Sequence, residues 1–317
     1  MSIRAICTNT NCLQLSEFAR SLAGQTVNCM HCSHEIVVPR GLRIDGLVLD
    51  EHAIIRQIGK GAMGRVFEGV QLGGKRRAAI KILNSDLARD RVMNGRFERE
   101  ARIALELKHP HIVAGYAAGQ AAGQTYIAME FMDGENALER LKRKGRLSPA
   151  DAIAITASVA NALAHAKERG IVHRDVKPAN ILTNSQGMVK LADLGLVRED
   201  DSQTMLTLSN AGMGTPLYMS PEQSEDAKNA DHRSDIYSLG VTFLFLLTGK
   251  HPFKRQNLLQ VIKAHREEPL PDSSELGVEL PPVINSIAQK MAAKDPDERF
   301  QDYECLCASL HHAHEQL

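Results

Sequence analysis

Three short segments, in one order, leave this chain few ways to fold. They are Ile171-Val172-His173-Arg174-Asp175-Val176-Lys177-Pro178-Ala179-Asn180, then Val189-Lys190-Leu191-Ala192-Asp193-Leu194-Gly195, then Gly214-Thr215-Pro216-Leu217-Tyr218-Met219-Ser220-Pro221-Glu222. The second follows the first at strand-turn-strand spacing. Ahead of them, Ser148 and Pro149 open a long helical stretch with Asp151 in its first turn, an N-cap with proline at the first helical position. After them, Ile236 to Leu247 reads as a buried helix, interrupted by Tyr237, Ser238, Gly240 and Thr242 and shorter than the ~20 apolar residues a bilayer span needs.

Upstream the pattern is β-rich. Ile58-Gly59-Lys60-Gly61-Ala62-Met63-Gly64-Arg65-Val66-Phe67 sets Gly59, Gly61 and Gly64 in a G-x-G-x-x-G-x-V frame. Dinucleotide-binding units open with the same frame, but a helix and a second strand follow there. Here Ala53 to Ile58 and Arg65 to Val70 read as the two strands of a hairpin. Glycine lets backbone N–H groups approach phosphate oxygens without obstruction, which suits a flap over a nucleotide. The next strand, Arg77 to Leu83, carries Lys81 in an apolar run. A buried ammonium is costly unless paired. The amphipathic stretch from about Arg96 to Leu107 offers Glu100 as partner, the alternative being a lysine that snorkels to solvent.

Taken together, these segments resemble the eukaryotic-type serine/threonine protein kinases, specifically their bacterial branch, from about Leu49 to His314. The resemblance implies an α+β, bilobal fold: a β-rich N-lobe with one key helix over about 49–132, and a helical C-lobe over about 133–314. It implies ATP and Mg2+ (or Mn2+) as cofactors and protein Ser/Thr hydroxyls as acceptors. By motif match, Asp175 would orient the attacking hydroxyl, Lys177 would neutralise the γ-phosphate, and Asn180 and Asp193 would hold the metal. Lys81, paired with Glu100, would meet the α- and β-phosphates under the flap of Gly59, Gly61 and Gly64. Adenine would lie between the lobes, against Val66, Ala79 and Leu182, with Glu130 and Met132 offering backbone hydrogen bonds and Met129 limiting the space behind.

The Gly214 to Glu222 stretch resembles the family's peptide-binding signature, and with Lys177 and Thr215 it favours Ser/Thr over Tyr acceptors. Ser202, Thr204, Thr207 and Ser209 fall where an autophosphorylated activation loop is expected, with Arg174 placed to pair with the phosphate. Asp235 would hydrogen-bond the catalytic-loop backbone and Arg299 would pair with Glu222. Leu194 stands where Phe is usual, Ser220 where Ala is usual and Tyr237 where Trp is frequent. None of these departures removes a charge the chemistry needs. The alternatives are a nucleotide-binding pseudokinase scaffold, against which Asp175 argues, and a small-molecule kinase, against which the peptide signature argues.

The front of the chain carries a second signal. Cys7, Cys12, Cys29 and Cys32 form two pairs, the second a tight x2 knuckle and the first a looser x4. Two such pairs can present four thiolates to one structural Zn2+, with Zn–S about 2.3 Å. A segment this short cannot bury a core of its own, and a structural zinc worth about 10–16 kcal/mol would close the gap. The alternative is four unliganded thiols in a flexible tail. The segment resembles zinc-ribbon modules attached to some bacterial signalling proteins, in Leu22-Ala23-Gly24-Gln25-Thr26-Val27 before Cys29 and Ile36-Val37-Val38-Pro39 after Cys32. His31 and His34 read as exposed neighbours. Cys305 and Cys307, two apart on a helix, read as buried thiols, not a metal pair.

The expected organisation is therefore a zinc ribbon at 1–40, a connector at 41–48 and a kinase domain at 49–314. Among the 317 residues, Lys+Arg and Asp+Glu balance at 38 each, so no overall positive field argues for nucleic acid or an anionic membrane as partner. Residues 1–20 lack the apolar core of a signal peptide, and a cytoplasmic location is the expectation. Expected partners are Ser/Thr protein substrates, with a ribbon-bound protein and a second copy of the chain also compatible with the sequence.

Overall fold

The computed structural model describes residues 3–40, 44–61, 63–74, 76–193, 216–226, 228 and 230–317. Expectations placed on Leu194, Gly195, Ser202, Thr204, Thr207, Ser209, Gly214 and Thr215 fall outside the described residues. The chain divides into two compact units, the first made of Met1–Glu106 and Ala114–Phe131, the second of Leu107–Val113 and Met132–Leu317.

Unit one begins with two antiparallel hairpins, β1 (Ile3–Ile6) with β2 (Leu15–Phe18) and β3 (Thr26–Asn28) with β4 (Glu35–Val37). Each turn carries one cysteine pair. Strands of three or four residues bury little, and the local core is Cys7, Cys29 and Ile36, so sulfur itself fills the centre. The stretch read as a connector is not merely a spacer. Ile44, Leu47 and Val48 are buried, Leu47 bridges Ala5, and β5 (Val48–Leu49) pairs with β6 (His52–Lys60). Ile6 N–H donates to the Gly46 carbonyl at 2.8 Å, and the Ile6 side chain packs with Val48, Ala53, Ile55 and Val70. The cysteine hairpins therefore share a core with the sheet that follows.

That sheet is antiparallel, in the order β5-β6-β7-β8-β10-β9, adding β7 (Gly64–Gln71) and β8 (Arg77–Leu83) and then, beyond α1 (Ser85–Arg89) and α2 (Arg91–Glu106), β9 (Gly115–Ala121) and β10 (Gln124–Glu130). Alternation along β8 sends Ala78, Ile80 and Ile82 into a core with Ile54, Phe67 and Tyr126. Helix α2 docks through Phe97 and Ala101 onto Leu83 and Ile127.

Unit two contains a small sheet, β11 (Glu135–Asn136), β12 (Ile181–Thr183) and β13 (Val189–Leu191), with the helices α3 (Ala137–Lys144), α4 (Pro149–Lys167), α5 (Pro221–Glu225), α6 (His232–Thr248), α7 (Leu258–Glu267), α8 (Pro282–Met291) and α9 (Tyr303–Glu315). Ser148 caps α4 by accepting from Asp151 N–H, with Pro149 at N1. Helix α6 is apolar nearly all round, the signature of a fully buried helix, and ends at Gly249 with φ +69°, a left-handed turn that glycine adopts without strain. It packs against α4 and α8. One expectation is corrected on α9. Its inward stripe is Tyr303, Leu306, Leu310 and Ala313, and residues two apart cannot share one helix face, so Cys305 is exposed and Cys307 only half-buried.

Candidate active site

In unit one, Lys81 on β8 donates to Glu100 Oε1 of α2 at 2.6 Å. Both side chains are largely buried, 12% and 3% exposed, so each charge depends on the other. Val66 and Ile127 are the cross-strand partners of Lys81, and Met129 is the partner of Ala79. The two-residue period puts Val66, Ala79, Lys81, Ile127 and Met129 on one face, an apolar patch around the Lys81 cation. Glu130, at the end of β10, commits its N–H to the Ala114 carbonyl at 2.8 Å, so any backbone contact it makes to a base runs through its C=O. Met132 lies just past the strand, half-buried, in unit two.

The glycines at the β6–β7 turn do different work. A Cβ on Gly64 would stand 2.0 Å from the Ile82 carbonyl oxygen, so the close approach of β7 to β8 requires glycine there. At Gly59 and Gly61 the nearest heavy atoms to such a Cβ lie at 3.7 and 3.9 Å, ordinary contact distances. Among the described residues, nothing demands glycine at those two. The bare backbone they present is what a phosphate cradle needs.

In unit two, Lys177 Nζ donates to Asp175 Oδ2 at 2.7 Å, and Asn180 Nδ2 donates to the same oxygen at 3.1 Å and to the Asp175 carbonyl at 2.9 Å. Ala192 N–H donates to the Asn180 carbonyl at 2.8 Å, which ties the strand entering Asp193 to this loop. Leu182, on β12, is half-buried two residues beyond Asn180. Two non-glycine residues, Arg174 (φ +63°) and Asp193 (φ +57°), occupy the left-handed region, where backbone strain gathers at functional sites.

The loop is fastened from behind. Asp235 of α6 accepts from His173 N–H at 2.8 Å and Arg174 N–H at 2.7 Å. Burial pushes its carboxyl above the usual range, against the pull of His173 and of these two donors. A carbonyl only accepts, so the His173 Nε2 contact to Ala192 O at 3.1 Å makes Nε2 the protonated nitrogen, and Nδ1 then accepts from Asp175 N–H at 3.2 Å. Gln223 Nε2 donates to the Arg174 carbonyl at 3.1 Å. Arg299, buried, grips Glu222 through two hydrogen bonds of 2.7 and 2.9 Å.

Apart from both sets, the four cysteine sulfurs of residues 7, 12, 29 and 32 lie within 4.8 Å of one another. Cys7 to Cys32 is 3.6 Å and Cys12 to Cys29 is 3.7 Å. Both are far beyond the ~2.05 Å of a disulfide and close to the ~3.8 Å edge of a tetrahedron with Zn–S of about 2.3 Å. His31 N–H donates to Cys29 Sγ at 3.4 Å and brings that thiol down to about 7, which favours the thiolate a metal takes. Burial pushes Cys7 the other way, up to about 12.

Residues 52–312 match the protein kinase domain family. The chain belongs to that family. Within it, the chain is 36% identical over 264 residues to a probable serine/threonine-protein kinase PknB of Lactococcus lactis, covering 83% of this chain and 42% of that protein. It is 36% identical over 270 residues to the serine/threonine-protein kinase PrkC of Bacillus subtilis, covering 85% and 41%. Against the PknB of Mycolicibacterium smegmatis the figures are 38% over 272 residues, covering 84% and 43%. The chain thus spans about two fifths of the length of these relatives. The crystal structure of the Mycobacterium tuberculosis PknI kinase domain aligns with a TM-score of 0.67 at 29% identity, covering 85% of this chain and 98% of that one.

Two residues of unit two carry hard oxygen donors of the kind a divalent cation takes. Asn180 spends its amide N–H on Asp175, which leaves its amide oxygen as an acceptor, and Asp193 carries a carboxylate; amide and carboxylate oxygens suit Mg2+. The sequence reading did not single out His173 or Gln223. The signal for His173 was its place directly before Arg174 in an apolar-flanked string; for Gln223 it was the Ser220-x-x-Gln223 capping box, which holds α5 and leaves the amide N–H for the loop. Among the described residues, no helix is long and apolar enough to cross a membrane.

Proposed function

We propose that this chain is a serine/threonine protein kinase, transferring the γ-phosphoryl group of ATP to Ser or Thr hydroxyls of proteins. The observation that carries the reading is the Asp175 carboxylate gripped by Lys177 and Asn180 at 2.7 and 3.1 Å on a loop bolted to α6. Asp175 orients the acceptor hydroxyl and takes its proton as the new O–P bond forms and the bond to the β-phosphate oxygen breaks. Lys177 sets positive charge beside the moving phosphoryl group. Lys81, fixed by Glu100, meets the α- and β-phosphates, and the turn that carries Gly59, Gly61 and Gly64 covers them. Val66, Ala79 and Leu182 take the adenine faces, with Glu130 C=O and the Met132 backbone reading its edge. Asn180 and Asp193 would hold Mg2+ (or Mn2+), which when bound neutralises phosphate charge.

The test is transfer of labelled phosphate from ATP to dephosphorylated casein in the presence of Mg2+. Asp175→Asn should lower the rate about 10^2–10^4-fold, the usual worth of a positioned base. Equal labelling by both proteins would assign the activity to a contaminant and end the proposal.

The same reading gives Cys7, Cys12, Cys29 and Cys32 one structural Zn2+, supported by their tetrahedral edge lengths. Atomic absorption on gently purified protein should find about one zinc per chain, falling in a Cys29→Ser variant. A cytoplasmic location belongs with it, because reduced thiols persist in a reducing compartment. Input through the ribbon, from a partner protein or a second copy of the chain, completes the proposal.

A further inference from the structure

Three polar side chains of unit two form a buried relay that the chemistry above leaves unused. Lys294 Nζ donates to the Tyr237 hydroxyl at 3.1 Å and to the His265 carbonyl at 2.8 Å. The Tyr237 hydroxyl meets His265 Nδ1 at 2.9 Å, and His265 Nε2 meets the Leu217 carbonyl at 2.9 Å. Tyr237 and His265 are completely buried.

The direction of every bond can be worked out. Leu217 C=O only accepts, so Nε2 carries the hydrogen. Burial, with the charge of Lys294 nearby, pushes His265 down to about 3, so the ring is neutral and Nδ1 must accept. The donor to it is the Tyr237 O–H, for which Nδ1 at 2.9 Å is the nearer acceptor than the His265 carbonyl at 3.4 Å, and its oxygen is left to accept from Lys294. Tyr237 thus fixes the tautomer of His265, and the tautomer fixes Leu217. One residue on, Ser238 Oγ donates to the Tyr218 carbonyl at 2.7 Å. Two consecutive carbonyls of the Pro216–Tyr218 turn are held by groups on or wired to α6.

We propose that Tyr237 and His265 are positioning residues for the acceptor: they set the backbone of Pro216–Tyr218, against which the phosphorylated protein segment lies, without touching ATP. This rests on the reading of the chain as a protein kinase whose 214–222 stretch receives the acceptor. An indole at position 237 would be a different linker. Its single N–H can donate but cannot also accept from Lys294, so it cannot stand between Lys294 and Nδ1. The hydroxyl is therefore what links three elements, α6, α7 and the Lys294 turn, to a substrate-facing turn.

The experiment uses the full chain, dephosphorylated casein and ATP. Tyr237→Phe keeps the ring and removes the donor. The KM for casein should rise about 2- to 12-fold, the worth of one hydrogen bond, while the KM for ATP stays put. Adding His265→Gln to that variant should bring the casein KM back toward the starting value. A glutamine amide presents an N–H near the position of Nε2 and has no tautomer to lose. Thermal melts of both variants check that the fold survives. An unmoved casein KM, equal rises in the KM for casein and ATP, or a double variant no better than Tyr237→Phe would each overturn the relay. Failure of the unaltered chain to label casein at all would instead sink the kinase reading on which it stands.

Discussion

Replacing Ile6 with alanine separates two pictures of the cysteine hairpins, as a tethered appendage or as a piece of the small unit's core. Ile6 is fully buried against Val48, Ala53, Ile55 and Val70, immediately before the first residue of the four-cysteine cluster. Large-to-small changes of this kind cost about 2–5 kcal/mol, and Ile6→Val about 0.5–1.5 kcal/mol. At about 2–4 °C per kcal/mol, alanine should lower the melting temperature by on the order of 5–15 °C. The chain has no tryptophan, so calorimetry and far-UV circular dichroism are better suited than fluorescence. Hydrogen exchange of peptides covering β6 and β7 locates the effect. Faster exchange there, about 30-fold or more, is expected when opening becomes 2 kcal/mol easier. The reasoning fails if zinc content falls while exchange in β6 and β7 and the melting temperature stay where they were.

Two further outcomes follow from the geometry. Gly64→Ala should destabilise the protein by about 1–3 kcal/mol in urea unfolding, because the new Cβ meets the Ile82 carbonyl, whereas Gly61→Ala should leave stability within about 0.5 kcal/mol and raise the KM for ATP. For Glu222, burial opposes ionisation but the Arg299 hydrogen bonds and charge outweigh it, holding the carboxyl below its usual value. A folded-state pKa depressed in this way adds stability above the unfolded value near 4.5, lost as pH falls through the folded one. Urea midpoints measured from about pH 6 down to about pH 3 should therefore drop less steeply for Glu222→Gln than for the unaltered chain.

Local signals carried far in this sequence. Strand β8 runs from Arg77 to Leu83 as its apolar run predicts, α4 starts at its Ser148-Pro149 signal, and Lys81 finds Glu100 because a cation in an apolar run has few alternatives. What could not be read depends on long-range pairing. The burial of Ile44 and Leu47 comes from their contact with β1 and the sheet, and a short stretch between two modules carries no periodicity to announce it. Cys305 was misjudged because a thiol's burial follows the phase of its helix, fixed here by Tyr303, Leu306 and Leu310. The Tyr237–His265–Lys294 relay joins residues whose partners lie tens of positions away, beyond any local pattern.

Arg174 sits in a backbone conformation its side chain disfavours, and among the groups that hold it there is a carboxylate in the first turn of a helix 61 residues later. Such a bend costs on the order of 1–3 kcal/mol and relaxes once its restraint is gone. Asp175, next to it, therefore takes its full set of restraints only once α6 has been sealed inside its unit. On the proposed kinase reading, a nascent or partly melted copy of this protein cannot yet mark another.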